Sequence, residues 1–268
     1  MLNQKSMNNP HKEHEVVFQE ERLEKILSRL EKENRLVTRE LPELFNTTVV
    51  TIRKDLIILE QRGLLKRTHG GAIKTRKLFP GLPLSEKERI NQEEKMRIVK
   101  KAARLISKGD TIILDSGSTT SLLAREIKHM QEITVITNAM NIAGELLYSN
   151  IELILIGGSL IKQTSTSVGP LADEALRKLT ADKLFMGIDG IDLETGLTTP
   201  NIQEANTSRV MIEISGETIV LADSSKFGRR CLGVICQLKD IDRIITTKKL
   251  SDKESGIFRN EGVKVIPA

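Results

Sequence analysis

The run Thr48-Val49-Val50-Thr51-Ile52-Arg53-Lys54-Asp55-Leu56 carries apolar side chains at positions 49, 52 and 56, continued by Leu59. Spacing by three and four puts them on one face of a helix and turns Val50, Arg53 and Lys54 outward, the layout of a helix that lies in a DNA major groove. Thr48 can cap the first turn, and Asn46 just before it tolerates the left-handed backbone of a tight turn. A shorter helix opening at Thr38 and closing at Phe45 would complete a helix-turn-helix. Pro42 falls at its fourth position, where a missing N–H disturbs the bond to the cap carbonyl, so the helix can start later. An amphipathic helix with a solvated basic face has the same spacing, so the flanking segments must decide.

On the N-terminal side, Leu23, Ile26, Leu27 and Leu30 form a helical stripe over 20–34, preceded by a polar, aperiodic tail at 1–18 that is expected to be disordered. On the C-terminal side, Gly63 ends the helix, 64–68 reads as a strand, His69-Gly70-Gly71 as a turn and 72–74 as the returning strand. A helix-turn-helix with a basic hairpin behind it is a winged helix, expected over 19–78. Its DNA-binding residues are expected to be Thr38, Thr48, Val50, Thr51, Arg53 and Lys54 on the helices, with Lys66, Arg67 and His69 on the wing, where Lys74 also lies. A hairpin that only covers the three helices would have little use for so many cations.

The charge supports that division. The 268 residues carry a net charge of +5, and residues 1–79 hold all of it, with 16 Lys and Arg against 11 Asp and Glu, while 80–268 hold 25 of each. No acid lies between Glu60 and Glu86, yet Arg62, Lys66, Arg67, Lys74, Arg76 and Lys77 do. A basic module on a neutral body implies a polyanion as partner for the module alone. With 39% hydrophobic and 29% charged residues, no membrane-length apolar run and no signal peptide, the chain is expected to be a cytoplasmic globular protein without a membrane partner. Cys231 and Cys236, without histidines nearby, support neither a metal site nor a disulfide framework and read as reduced packing residues.

Phe79-Pro80-Gly81-Leu82-Pro83-Leu84 reads as a linker, assigned to 79–91, after which Ser85 caps a long helix ending near 107. From 92 to 268 the pattern alternates. Strands are expected at 111–114, 133–137, 152–156, 183–188, 217–221, 243–246 and 263–266, and helices at 119–129, 139–148, 171–179 and 204–215. That order is an α/β fold with a mostly parallel sheet, whose outermost strands are left open as to direction and whose ligand crevice lies at the carboxyl ends of the strands.

The most informative of these ends is Asp115-Ser116-Gly117-Ser118-Thr119-Thr120, a small hydroxyl-rich loop that enters a helix. It offers backbone N–H groups, hydroxyls and the helix dipole to an anion, and a phosphate fits. The lysine of a nucleotide P-loop is absent, which argues against a nucleoside triphosphate. The competing view is that the hydroxyls only cap the helix. Further effector-binding candidates at strand ends are Asn138, Gly158, Asp189, Glu204 and Lys226. Asp189, Glu204 and Lys226 can bind sugar hydroxyls or move a proton, and Asp115, repelled by a phosphate, suits a sugar hydroxyl or the loop amides. No cofactor and no metal is expected.

The run from Thr48 to Leu56, with Gly63-Leu64 and His69-Gly70-Gly71-Ala72, resembles the DNA-binding domain of the DeoR family of bacterial transcription regulators. The effector half agrees: Leu114 to Thr120 is similar to that family's loop, with Ser118 where Thr is usual, and Gly158, Gly187, Asp189, Gly190, Gly196 to Thr199, Glu204 and Asp223 to Phe227 occur in its order. Pro42 and Asn46 are further departures. The resemblance implies a winged helix joined to a domain like ribose-5-phosphate isomerase, acting as a regulator, typically a repressor of a sugar operon, that leaves its operator DNA when a phosphorylated sugar binds. Asn201, Glu204 and Ala205 resemble the amino-sugar and galactitol branch. Reading paired half-sites implies a homodimer or homotetramer. The main alternative is a sugar-phosphate isomerase with a basic appendage. It has to explain a recognition helix and wing that such an enzyme would not use. An RNA-binding regulator ranks last, since the chain holds one Tyr, six Phe and no Trp for base stacking.

Overall fold

The computed structural model describes residues 19–61, 63–74 and 78–268. The expected tail at 1–18 and the cations Arg62, Arg76 and Lys77 lie outside the described residues. The chain divides into two compact units, Met1–Arg76 and Lys77–Ala268.

In the first unit, α1 (Gln19–Glu33), α2 (Leu41–Leu44) and α3 (Val49–Gln61) pack on a three-stranded antiparallel sheet of β1 (Arg35–Val37), β2 (Leu65–Thr68) and β3 (Gly71–Lys74), in the order β1-β3-β2. Leu23, Ile26 and Leu30 of α1 meet Leu41, Phe45, Ile52, Leu56, Leu59 and Leu65 in one core. Thr48 caps α3 by accepting from the Thr51 amide at 3.1 Å, and Asn46 takes the left-handed conformation, φ 45°. Three expectations need correction. Helix α2 starts at Leu41 rather than Thr38, because Pro42 is tolerated only in the first turn, where its missing N–H breaks no bond. Val49 is 37% exposed rather than buried, and the fourth inward side chain of α3 is instead Asp55. Strand β1 is additional, and it makes β3 central rather than an edge; Gly71 is required there, since a Cβ would lie 1.8 Å from the Leu36 carbonyl oxygen.

Asp55 is buried because Arg22 reaches it: Arg22 Nε donates to Asp55 Oδ2 at 2.5 Å and Nη2 to Oδ1 at 3.2 Å. This two-point pair ties α1 to α3 inside an otherwise apolar core.

In the second unit, seven strands form one sheet: β4 (Thr111–Leu114), β5 (Thr134–Thr137), β6 (Glu152–Leu155), β9 (Ala181–Gly187), β12 (Ser215–Ala222), β14 (Arg243–Thr246) and β15 (Lys264–Pro267). Every pairing is parallel, the outermost included. The order is β15-β14-β12-β9-β4-β5-β6. Alternate side chains feed two cores. Ile112, Leu114, Phe185 and Leu221 pack with α5 (Gln92–Ala103), α6 (Ser118–Ile127) and α7 (Met140–Leu146). Ile113, Leu184, Met186 and Val220 pack with α8 (Pro170–Leu176), α9 (Ile202–Glu213) and α10 (Asp252–Asn260). The chain runs outward from β4 through β5 to β6, then returns to place β9 on the other side of β4. That reversal is a topological switch point between β4 and β9, where such sheets form their crevice.

Five short strands were not foreseen: the hairpin of β7 (Ser159–Ile161) and β8 (Thr166–Val168), and the antiparallel sheet of β10 (Gly190–Asp192), β11 (Gly196–Thr199) and β13 (Gly233–Cys236). The expected long helix is two. Helix α4 (Leu84–Arg89) has Pro83, not Ser85, at its N-cap, and left-handed Asn91 separates it from α5, which ends at Ala103. Cys231 and Cys236 are free and buried, their thiols pushed by burial to about 11 and about 12. Among the described residues no helix is long and apolar enough to cross a membrane.

Replacing Asp55 by Ala takes the buried carboxylate away from the Arg22 guanidinium and the Gln19 amide, and breaking a buried pair from one side costs about 3–5 kcal/mol. Urea unfolding of the whole chain should then show the N-terminal unit melting at clearly lower denaturant, with the transition of the parallel-sheet unit unmoved.

Candidate DNA-binding face and effector crevice

On the first unit, Thr48, Val50, Arg53 and Lys54 are exposed on α3, with Thr51 half-buried. The Thr48 and Thr51 hydroxyls lie 2.9 Å apart, so one of them satisfies the other rather than standing free. On the hairpin, Lys66, Arg67 and His69 are exposed. Glu60, near the end of α3, accepts from the Arg67 amide at 2.8 Å and lies 3.7 Å from its guanidinium, which fixes the base of the wing against the helix. Thr38 is the exception: it is buried and its amide donates to Gly70 O at 2.8 Å, so it braces the turn of the wing instead of facing outward.

On the second unit, the loops after β4 and β9 meet at the switch point and line a crevice. Its walls include Asp115, Ser116, Gly117, Ser118, Thr119, Asp189, Glu204 and Lys226 from the sequence reading. Gly117 adopts φ 146°, a conformation that favours glycine, and no side chain caps the helix behind it. The hydroxyls of Thr120 and Ser121 turn away and donate to Gly117 O at 3.0 and 2.6 Å. The opening amides of α6 therefore keep the positive helix end available to an anion, which disposes of the view that these hydroxyls serve as caps. Gly187 allows the close approach, since a Cβ there would stand 3.0 Å from Ser116 O.

Three expected residues lie outside the crevice lining. Thr120 is fully buried behind the loop. Asn138 is buried and spends its amide on Ser167 O at 2.9 Å. Gly158 is a packing glycine, with Val168 O 2.7 Å from where a Cβ would sit. The crevice also gains residues the sequence did not flag: Leu84 and Lys87 from α4, Thr164 from the β7–β8 hairpin, and Ser208 from α9. Thr164 and Ser208 carried no signal apart from their hydroxyls, and Lys87 sat in a stretch that read as linker.

The titratable groups form one network. Asn201 caps α9 by accepting from the amides of Gln203 and Glu204, which points Glu204 inward; Thr164 then donates to Glu204 Oε1 at 2.5 Å. Lys87 Nζ stands 2.6 Å from Asp189 Oδ1, and Thr199 donates to Asp189 Oδ2 at 3.2 Å. Burial pushes Asp189 up, but the Lys87 and Lys226 ammonium groups outweigh it and hold the carboxyl below its ordinary value. Burial lowers Lys226, against the pull of Asp223 and Asp189. Burial raises Glu204, and it raises Asp115 to about 7, with the Glu204 charge adding to the effect. Near neutrality Asp115 is thus partly a neutral acid able to donate a hydrogen bond, which relieves the expected conflict with a bound anion. Among the described residues no cluster of three or more His, Cys, Asp and Glu is placed to hold a metal.

Because Asp115 binds its proton more tightly folded, at about 7, than at its ordinary 3.8, the folded chain holds the extra proton between those values. Its contribution to stability falls as pH rises through that window and is level above it. Thermal melts of wild type and Asp115→Asn between pH 4.5 and 8 should therefore diverge in favour of the variant up to about pH 7, a divergence set by the Asp115 value, and then run parallel.

Residues 22–77 match a DeoR-like helix-turn-helix domain and residues 90–248 the DeoR C terminal sensor domain. A protein of Escherichia coli O157:H7 that bears the name of an aga operon transcriptional repressor is 37% identical over 95% of this chain and 96% of its own. The lactose phosphotransferase system repressor of Staphylococcus aureus (strain NCTC 8325 / PS 47) is 34% identical over 84% of this chain and 90% of its own. Among solved structures, ribose 5-phosphate isomerase A from Methanocaldococcus jannaschii aligns at 21% identity and a TM-score of 0.40, covering 51% of this chain and 55% of that one. Two family domains in tandem and relatives aligned nearly end to end lead to one conclusion: the chain belongs to the DeoR family of transcriptional regulators, with a helix-turn-helix DNA-binding domain and a sensor domain.

Proposed function

We propose that this regulator represses a sugar, sugar-alcohol or amino-sugar catabolic operon and is released from its operator by a phosphorylated sugar. The observation that carries the reading is the uncapped α6 N-terminus at the β4–β9 switch point, facing a crevice that also holds Lys226 and the carboxyls of Asp189 and Glu204. Amides, hydroxyls and the helix dipole suit a phosphate. Carboxylates suit sugar hydroxyls, to which they act as acceptors. The aga operon and lactose phosphotransferase names of the relatives fit an operon for sugars. On the DNA side, Val50, Arg53 and Lys54 of α3 read the major groove while Lys66, Arg67 and His69 hold the backbone, and a homodimer or homotetramer pairs two half-sites.

The test is binding of the purified protein to the DNA upstream of its own operon, at stated salt, titrated with a panel of phosphorylated sugars and their unphosphorylated forms. One phosphorylated sugar should release the DNA and its unphosphorylated form should not. Arg53→Ala should weaken operator binding by about 1–3 kcal/mol if it reads a base, the usual range for a good base contact. Ser118→Asp, which sets a negative charge at the loop, should keep operator binding but raise the sugar phosphate needed for release by about tenfold or more, equivalent to about 1.4 kcal/mol. Operator binding indifferent to every sugar phosphate would refute the sensor half of the reading.

A further inference from the structure

The stretch assigned to the linker is fastened to the sensor unit at successive points, and its Leu84 and Lys87 line the crevice. Phe79 lies under the Arg229 guanidinium, 4.5 Å from ring centroid to cation, and its amide donates to Arg230 O at 2.7 Å. Gly81, at φ +83°, passes so close to Pro200 that a Cβ would stand 2.4 Å from the proline ring. Leu84 donates its amide to Gln163 O at 3.1 Å and is buried in the crevice wall. Beyond α4, Lys95 is fully buried and donates to the carbonyls of Lys87 and, at 2.6 Å, Ile90, closing the helix C-terminus. Asn91 donates to Asp223 Oδ1 at 3.0 Å, three residues before Lys226.

In the middle of this strap, Lys87 extends into the crevice and meets Asp189 at 2.6 Å, its side chain 13% exposed. The other fastenings are the Arg229 guanidinium over Phe79, the Lys95 ammonium on two backbone carbonyls, apolar packing and backbone or amide hydrogen bonds, and of these only Leu84 also lines the chamber. Lys87 is thus the strap's charged contact with the chamber, and it lies in the same chamber as the Ser116–Thr119 loop. A carboxylate and a phosphate dianion compete for one ammonium, and the phosphate brings the larger charge.

We propose that Lys87 is an effector-contacting residue whose pair with Asp189 latches the strap, and that an anion bound at the Ser116–Thr119 loop draws Lys87 off Asp189 and releases α4. This rests on the reading of the crevice as an effector site and adds to it a residue and the segment that moves. The strap is the first described segment of the sensor unit and comes after β3 of the wing in the chain.

Hydrogen exchange on the full-length protein tests both halves, with inorganic phosphate and glucose 6-phosphate as probes. Without any anion, Lys87→Gln and Asp189→Asn should each speed exchange at the amides of 84–90 by about fivefold or more, and Lys87→Arg should restore slow exchange; unchanged exchange in both variants overturns the latch. With wild type, a saturating anion should slow the amides of 117–120 and speed those of 84–90. Lys87→Gln should raise the anion concentration for half-effect by about tenfold, as loss of a charge-assisted bond predicts, with Lys87→Arg near wild type. Protection at 117–120 that is equal in wild type and Lys87→Gln overturns the contact. Wild type with no protection at 117–120 at any anion concentration overturns the phosphate reading of the loop and the anion half of the proposal with it, while the anion-free arm still decides whether the latch exists.

Discussion

Parallel pairing is the constraint that organises the sensor unit. With all seven strands of the sheet parallel, every strand delivers its carboxyl end to the same edge, and every return connection must cross a face of the sheet. Residues far apart in the chain, such as Asp115 after β4, Asp189 after β9 and Lys226 after β12, are thereby set around one opening. The reversal between β4 and β9 then decides where along that edge the opening lies. On one side the chain leaves β4 through α6 on one face, and on the other it leaves β9 through β10 and β11 to α9 on the opposite face, so the two connections diverge above the strands and leave a gap. The chemistry of the crevice is that of the first residues after these strands.

Grouping so many charges out of water is costly, and the crevice divides the cost. Asp189 is held ionised by Lys87 and Lys226, whereas Asp115 and Glu204, with fewer cations near them, are pushed toward their neutral forms. A site that keeps Asp189 charged while Asp115 holds a proton part of the time near neutrality receives a dianion against less opposing charge. Lys226 is lowered by burial despite Asp223 and Asp189, which marks it as a cation short of solvation and thus favourably disposed to an entering anion.

Features set by local rules were legible in the sequence, and those set by tertiary contacts were hidden. Thr48 as a cap, Asn46 in left-handed backbone and the positions of the seven sheet strands rest on residue type and periodicity, and the structure has them. Val49 and Asp55 were exchanged because periodicity counts apolar residues inward, and Arg22, 33 positions away, with Gln19 beside it on α1, makes an inward aspartate tolerable. Strand β1 is three residues long, too short for alternation to register. Asn138 and Gly158 stand after strands, as ligand residues do, but the Asn138 side-chain nitrogen is committed to Ser167 O and Gly158 packs closely against Val168. Lys87 was invisible for a different reason: Pro and Gly spacing announces a connection, and composition does not say what a connection lies against.

The strength of the Lys87–Asp189 pair suits a switch better than either extreme would. Regulation needs coupling of about 1–3 kcal/mol between effector and DNA, enough to change affinity roughly 5 to 150-fold. A fully exposed ion pair, worth about 0–1 kcal/mol, would be too weak to hold a segment in place against its own entropy. The more deeply enclosed Arg22–Asp55 pair, whose rupture from one side costs about 3–5 kcal/mol, would be too strong for a small ligand to exchange. Lys87 and Asp189 lie between these, screened from water by α4 itself yet opening onto the chamber that the ligand enters. Exchange of one acceptor for another at Lys87 leaves Asp189 hydrogen-bonded, since the sugar hydroxyls can turn to it as the phosphate takes the lysine, and Lys226 stays as its cation. Swapping partners at nearly constant cost is what lets a ligand of this size move a segment of the chain.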